Sequence, residues 1–439
     1  MKKLRVTQQI LRPSVAGILF AALATPALAV DLKTADGEWT FSIDGEINVD
    51  YIWSSCQSPG SASSVNGGLT CVGSASGNDV SNIGNGLLPA AFSFGVATTQ
   101  DGIDLAAHLG LYPGIATNDG GSPNLESNSA NGSSNTALGT TGLDVRQVYM
   151  TFGNKDMGTF TLGRNIGLFG ADVILADMTL PGVGAPGTAA GAAPSNTTLG
   201  GIGFGYIYTD WLAQIDYTTP DFSGFNFTVG IFDPLNSLSE GTATVEPKKA
   251  PGVHGKATYT LPIADGTKLY ISATIISQKQ YYQDTTVTPA LPYSYTGTGE
   301  DLFAKFDMQG LEVVGYGYHA TGLGTTALFD GGAFDDGETR TSNGWLAQVT
   351  YQLGPAKLGY NHGDSRLDFA NSADQLADPA LVRSNRKDTV GVYYSLTKAL
   401  MLLGEVSRVK SYSDDASAAC PSCGSNSATT VNVGAFLKF

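Results

Sequence analysis

Residues 39–53 alternate on a period of two. Trp39, Phe41, Ile43, Gly45, Ile47, Val49, Tyr51 and Trp53 take the odd positions, and Thr40, Ser42, Asp44, Glu46, Asn48 and Asp50 take the even ones. Such a pattern belongs to an extended strand with one apolar and one polar face. Its fifteen residues exceed the ~5–6 of an ordinary strand. They suit a tilted strand that needs ~9–11 residues to cross hydrocarbon. The two tryptophans stand at its ends on the apolar side, where a membrane barrel places an aromatic girdle.

The far end of the chain repeats the pattern. Val431, Val433, Ala435, Leu437 and Phe439 alternate with Thr430, Asn432, Gly434 and Lys438, and Phe436 is the one apolar residue on the polar face. Between these two segments lie fourteen further candidate strands, at 89–99, 102–112, 143–153, 157–165, 211–218, 225–233, 252–262, 268–278, 301–308, 311–320, 343–353, 356–363, 388–396 and 399–412. Some, such as 268–278, are apolar on both faces. The connections alternate between long, Gly/Ser/Asn/Asp-rich loops and tight turns such as Gln309-Gly310 and Gly354-Pro355. Sorting long loops to one side and short turns to the other is the habit of outer-membrane barrels, and a soluble sandwich or propeller has no reason for it. The expected fold is an all-β, 16-stranded antiparallel transmembrane barrel with short periplasmic turns and long extracellular loops.

Composition and the first residues agree. Lys2, Lys3, Arg5 and Arg12 precede an apolar run from Val15 to Leu23 and an Ala27-Leu28-Ala29 sequence. This reads as a cleaved signal peptide over 1–29, leaving residues 30–439 as one barrel domain. Four of the 24 basic residues lie in that leader, so the remaining 410 residues carry 20 basic against 39 acidic side chains. That balance repels nucleic acid. Charged residues make up 14 % of the chain, well under the ~25 % of soluble domains. No stretch of the exported part reaches the ~18 apolar residues of a membrane helix.

Four cysteines lie in the first and last long loops. In an oxidising compartment Cys56 with Cys71 and Cys420 with Cys423 are the expected disulfides. Cross-pairing remains open because the two loops become neighbours when the barrel closes, and a shared zinc site needs the same meeting. A redox role for the CPSC sequence lacks a βαβ context. His108, His254, His319 and His362 are scattered singly, without a nucleophile–base pattern. Asp330, Asp335, Asp336 and Glu338 cluster in a Gly-rich loop and form a candidate calcium site of oxygen ligands, although the spacing departs from an EF-hand.

Residues 146–167, RQVYMTFGNKDMGTFTLGRNIG, resemble the fourth and fifth strands of general bacterial porins, and 211–232, WLAQIDYTTPDFSGFNFTVGIF, resemble the hairpin that follows. The terminal Phe439 also matches that family. The resemblance implies a homotrimer in the outer membrane, among lipid and lipopolysaccharide. It implies that the loop 166–210 folds into the lumen and narrows it. Asp172 and Asp177 would supply the acidic side of that constriction, and Arg164 a basic wall opposite them. The chain departs from the family in having no arginine between Arg164 and Arg340. Arg146 and Arg164 also share strand parity with apolar neighbours. Either a bulge changes their facing or those faces lie in a subunit contact.

Alternation alone makes Asp44, Glu46, Asn48, Asp50, Lys256, Gln348 and Glu405 candidates for the lumen wall. Several are acids, which tilts the expected selectivity towards cations. The expected function is passive diffusion of ions and small hydrophilic solutes, with no catalysis. The alternatives are a substrate-specific channel with a lumenal binding site, and a structural or adhesive barrel with a closed lumen.

Overall fold

The computed structural model describes residues 30–57, 63–70, 79–115, 143–186, 197–235, 244–245, 248–284, 291–334 and 336–439. Residues 1–29 and Cys71 lie outside that set. The strands are β1 (Val30–Lys33), β2 (Thr40–Cys56), β3 (Asp79–Gly84), β4 (Ala91–Gln100), β5 (Ile103–Pro113), β6 (Leu143–Asn154), β7 (Gly158–Ile166), β8 (Trp211–Thr218), β9 (Phe225–Phe232) and β10 (Thr244–Val245). They continue with β11 (Gly252–Ala264), β12 (Thr267–Asp284), β13 (Leu291–Met308), β14 (Leu311–Thr321), β15 (Thr341–Leu353), β16 (Ala356–Leu367), β17 (Ser384–Ser395), β18 (Leu400–Tyr412) and β19 (Ser425–Lys438). Two short helices, α1 (Ala171–Ala176) and α2 (Ser372–Ala377), lie in the connections.

All nineteen described strands belong to one sheet, and three of them only extend a neighbour's column. β1 pairs with β2 beyond the end of β19, β3 and β4 pair with successive parts of β2, and β10 pairs with β12 beyond the start of β11. Sixteen columns remain, every pairing is antiparallel, and β9–β11 and β19–β2 complete the ring. At the seam, Gly45 and Phe439 exchange backbone hydrogen bonds of 2.9 and 3.0 Å. A closed barrel satisfies every strand edge internally, as hydrocarbon demands.

Alternation sets which face each residue takes. On β2, Phe41, Ile43, Ile47, Val49 and Tyr51 are exposed on the outer surface, while Glu46, Asn48, Asp50, Ile52 and Ser54 are buried inside. On β9, Phe225, Phe227, Val229 and Ile231 face out in the same way. The short turns fit their chemistry. Asp101–Gly102 and Gln309–Gly310 have positive φ at both residues, the backbone that a two-residue hairpin requires.

Each expected strand overlaps an observed one, with the clearest differences in the loops. The expected loop 279–300 is largely strand, because β12 and β13 run on as a hairpin of two eighteen-residue strands. There the outward positions carry polar residues such as Ser277 and Lys279, while Gln278, Gln280 and Tyr282 are buried on the inner face, so the apolar-out, polar-in alternation is lost. The column of β3 and β4 is interrupted at 85–90, and that segment turns inward.

Candidate functional site

The connection after β7 enters the barrel. Its neck is closed by Gly167 N–H donating to Asp210 O at 2.9 Å and by Thr209 Oγ1 donating to Gly167 O at 3.0 Å. Inside, wall residues from many strands grip it. Asp301 on β13 accepts from Gly170 N–H at 2.8 Å. Gln348 on β15 accepts from Met178 N–H at 2.7 Å and donates to Ala176 O at 2.8 Å. Ser365 on β16 accepts from Gly205 N–H at 2.8 Å. The inturned segment 85–90 also bonds to it, with Leu87 N–H to Gly182 O at 2.6 Å, Leu88 N–H to Leu180 O at 3.0 Å and Thr198 N–H to Gly86 O at 3.0 Å.

Apolar packing complements these bonds. Phe169, Val173, Ile174, Phe204, Tyr206 and Ile207 of the loop are buried in one cluster with Phe303, Tyr316, Tyr318 and Leu346 of the wall. This explains why several strands carry apolar residues on both faces: the outer set meets lipid and the inner set meets the loop. Contact is backbone-close at Gly363, where a Cβ would stand 1.7 Å from Phe204 O.

The acids expected at the constriction are both on this loop, and both are engaged. Asp172 on α1 accepts from Lys256 Nζ at 2.7 Å, from Tyr270 Oη at 3.2 Å and from Ser272 Oγ. Asp177, which ends α1, is buried and accepts from Thr179 N–H at 2.9 Å, Thr179 Oγ1 at 2.8 Å, Tyr206 Oη at 2.8 Å and Asn361 Nδ2 at 3.0 Å. Glu405 on β18 accepts from Val183 and Gly184 N–H at 2.9 and 2.8 Å and from Tyr393 Oη at 2.6 Å. Asp172, Asp177, Lys256 and Glu405 therefore hold the loop to the wall, and Asp44 and Glu46 lie on the inner face of β2.

Arg164 is a correction to the sequence reading. It stands opposite Val148 on β6 and Ala213 on β8, and both are exposed on the outer face. Residues directly opposite in an antiparallel ladder point the same way, so Arg164 belongs to the outer surface and does not face Asp172 and Asp177 across the lumen.

The inward arginine is Arg146. Between β5 and β6 the register steps from Gly110 opposite Gln147 to Tyr112 opposite Asp144, leaving one extra residue on β6. This bulge reverses the parity. Val148 and Met150 point outward while Asp144 and Arg146 are buried, Nε of Arg146 lying 2.7 Å from Asp144 Oδ2. The sequence allowed for a bulge at this point, but one extra residue leaves no compositional mark.

A cavity of about 80 Å³ lies between this wall and the inturned segments. Glu46, Tyr112, Arg146, Gln147 and Trp211 line it from the barrel, and Leu87, Leu88, Ile174, Leu175 and Leu180 line it from the loops.

The remaining candidates lie outside the lumen's centre. Cys420 is disulfide-bonded to Cys423, and Cys56 is also disulfide-bonded. In the candidate calcium cluster, Asp335 lies outside the described residues. Asp336 accepts from Glu338 N–H at 2.9 Å and Asn371 Nδ2 at 3.0 Å. No cluster of three metal-ligating side chains occurs among the described residues.

A closed sixteen-column barrel with an exposed apolar outside, and with one connection folded and bonded inside it, defines the class of outer-membrane channel barrels. A family model of Gram-negative porins matches residues 15–414, and the chain belongs to that family. It is a channel of the bacterial outer membrane for small solutes. The fold is similar to that of the outer membrane channel DcaP of Acinetobacter baumannii, at 13% identity over 93% of this chain and 99% of that one with a TM-score of 0.65. It is also similar to an anion-selective porin from Comamonas acidovorans, at 14% identity over 92% and 100% with a TM-score of 0.57. The trimer form of OmpT from Vibrio cholerae matches at 11% identity over 92% and 100% with a TM-score of 0.50. No curated protein sequence matches.

Proposed function

We propose that the protein is a passive, homotrimeric diffusion channel whose passage runs between the inward loop and the wall of β2, β5 and β6. The observation that carries this reading is the anchoring of loop 167–210 to β13, β15, β16 and β18. Gripped from so many sides, the described parts of the loop, 167–186 and 197–210, make a fixed constriction that narrows the lumen. Trimerisation is supported by the family and by the solved trimer form of a porin with this fold. Asp44, Glu46 and Asp144 outnumber Arg146 on that wall, which supports a modest preference for cations. Catalysis and energy coupling have no part in this reading.

The test is conductance of the purified protein in a planar bilayer under a salt gradient. Ohmic openings in steps of three, with a reversal potential on the cation side, are the expected result. A folded barrel that stays silent would favour the closed, structural alternative and remove the diffusion mechanism.

A further inference from the structure

We infer that the cavity beside Arg146 is a binding site for small zwitterions with an apolar side chain, the chemistry of a short α-amino acid. The inference rests on the channel reading above and names the solute that the constriction holds.

Three features specify the ligand. First, Arg146 is 4 % exposed and its Nη2 has no hydrogen-bond partner among the described residues, although Nε is bound to Asp144. A buried guanidinium N–H without an acceptor favours a carboxylate. Second, Glu46 is 5 % exposed and its Oε1 likewise has no partner among the described residues. That oxygen favours an ammonium group. Third, the loop side is made of Leu87, Leu88, Leu175 and Leu180, which offer nothing to a hydrated ion but cover a hydrocarbon side chain. A simple anion would leave Glu46 Oε1 without a donor, and a simple cation would leave Arg146 Nη2 without an acceptor. One molecule bearing both charges and a short alkyl group answers all three.

The volume limits its size. A cavity of ~150 Å³ holds benzene, and this one is about 80 Å³. Alanine and 2-aminobutyrate are of the right bulk, and aromatic amino acids are too large to fit without displacing the loop.

The experiment compares block of single-channel current in the wild-type protein by 2-aminobutyrate, butyrate and butylammonium at equal concentration. The expected result is half-block by 2-aminobutyrate at a concentration about tenfold or more below that of either analogue, the equivalent of ~1.4 kcal/mol. Glu46→Gln should abolish the advantage of 2-aminobutyrate over butyrate. If the variant fails to fold, the wild-type series alone decides. Conducting channels blocked equally by all three solutes, or by none, overturn the zwitterion site and leave the channel standing. A folded, silent wild-type protein overturns the channel and this inference together.

Discussion

Glu405 offers a sharp test of how the inward loop is held. Its carboxylate accepts two backbone N–H bonds from Val183 and Gly184 and a third from Tyr393 Oη on the wall. Hydrogen bonds to a charged group contribute ~1.5–3 kcal/mol each. The two loop-side bonds together supply roughly 3–6 kcal/mol of local anchoring, as a sum of such values. Glu405→Ala removes both and deprives buried Lys387 of a nearby countercharge. At tenfold per ~1.4 kcal/mol, the detached population of this segment should rise about 10²- to 10⁴-fold. Leu87 and Leu88 still hold Gly182 and Leu180, so the release should be confined to the residues that follow. The assay is hydrogen exchange of the Val183 and Gly184 amides in detergent-solubilised protein, alongside open-channel noise in bilayers. Glu405→Gln keeps one acceptor oxygen but loses the charge, and should fall between wild type and Ala. Unchanged amide protection in a correctly folded Glu405→Ala barrel would refute the anchoring argument.

Other perturbations probe neighbouring contacts. Gly363→Val should push the loop off β16, because even a Cβ would meet Phe204 O at 1.7 Å; altered single-channel conductance in a heat-stable barrel is the check. Gly182→Val should mimic Glu405→Ala in hydrogen exchange, since its Cβ would lie 2.1 Å from Glu405 Oε1. Arg340→Ala should loosen the outer loop that carries α2, because it strips the fork that binds buried Asp374 at 2.6 and 2.8 Å; breaking such a pair costs ~3–5 kcal/mol, and limited proteolysis of that loop reads it. In the wild type, burial opposes the charge of Asp374, but the Arg340 fork and the Ala370 amide outweigh it and hold the carboxyl below its ordinary value. A lowered folded pKa gives stability that is complete above the ordinary carboxylate value of ~3.9. That stability is lost as pH falls through the folded value, so the loop should become cleavable only in strong acid.

Much of the barrel was legible because lipid on one side and polar lumen on the other impose a period of two. Thus Trp39 to Trp53 announces β2, and Gln309-Gly310 its kind of turn. The pattern weakens wherever that boundary condition fails. In the extended parts of β12 and β13 the outward position holds Lys279 and the buried inward one Gln280, so no apolar face marks the strand there. Tyr316 and Tyr318 point inward yet are buried, because the loop covers them and not lipid. The site was less readable still. Asp172 and Asp177 lie on the inward loop, but their partners Lys256 and Asn361 lie 84 and 184 residues away, and no local spacing reports such meetings. Arg146 was hidden by a single extra residue in β6, and Arg164, next to the most family-like stretch, turned out to face the other way.

The seam between β2 and β19 bears on how this molecule comes to exist. Ser54 and Thr430, bonded across it at 2.9 Å, are 376 residues apart in the chain. Every other pairing can form between segments made in succession, but this one must wait until both have been delivered. Until then the sheet has two raw edges, each able to recruit a strand from another molecule. The entropy of joining such distant ends grows only slowly with the intervening length, so the obstacle is one of timing more than of free energy. Anything that delays the final segment, or alters the short stretch in which Gly45 meets Phe439, should reveal itself first in the yield of assembled protein, with little change in the conductance of the barrels that do close.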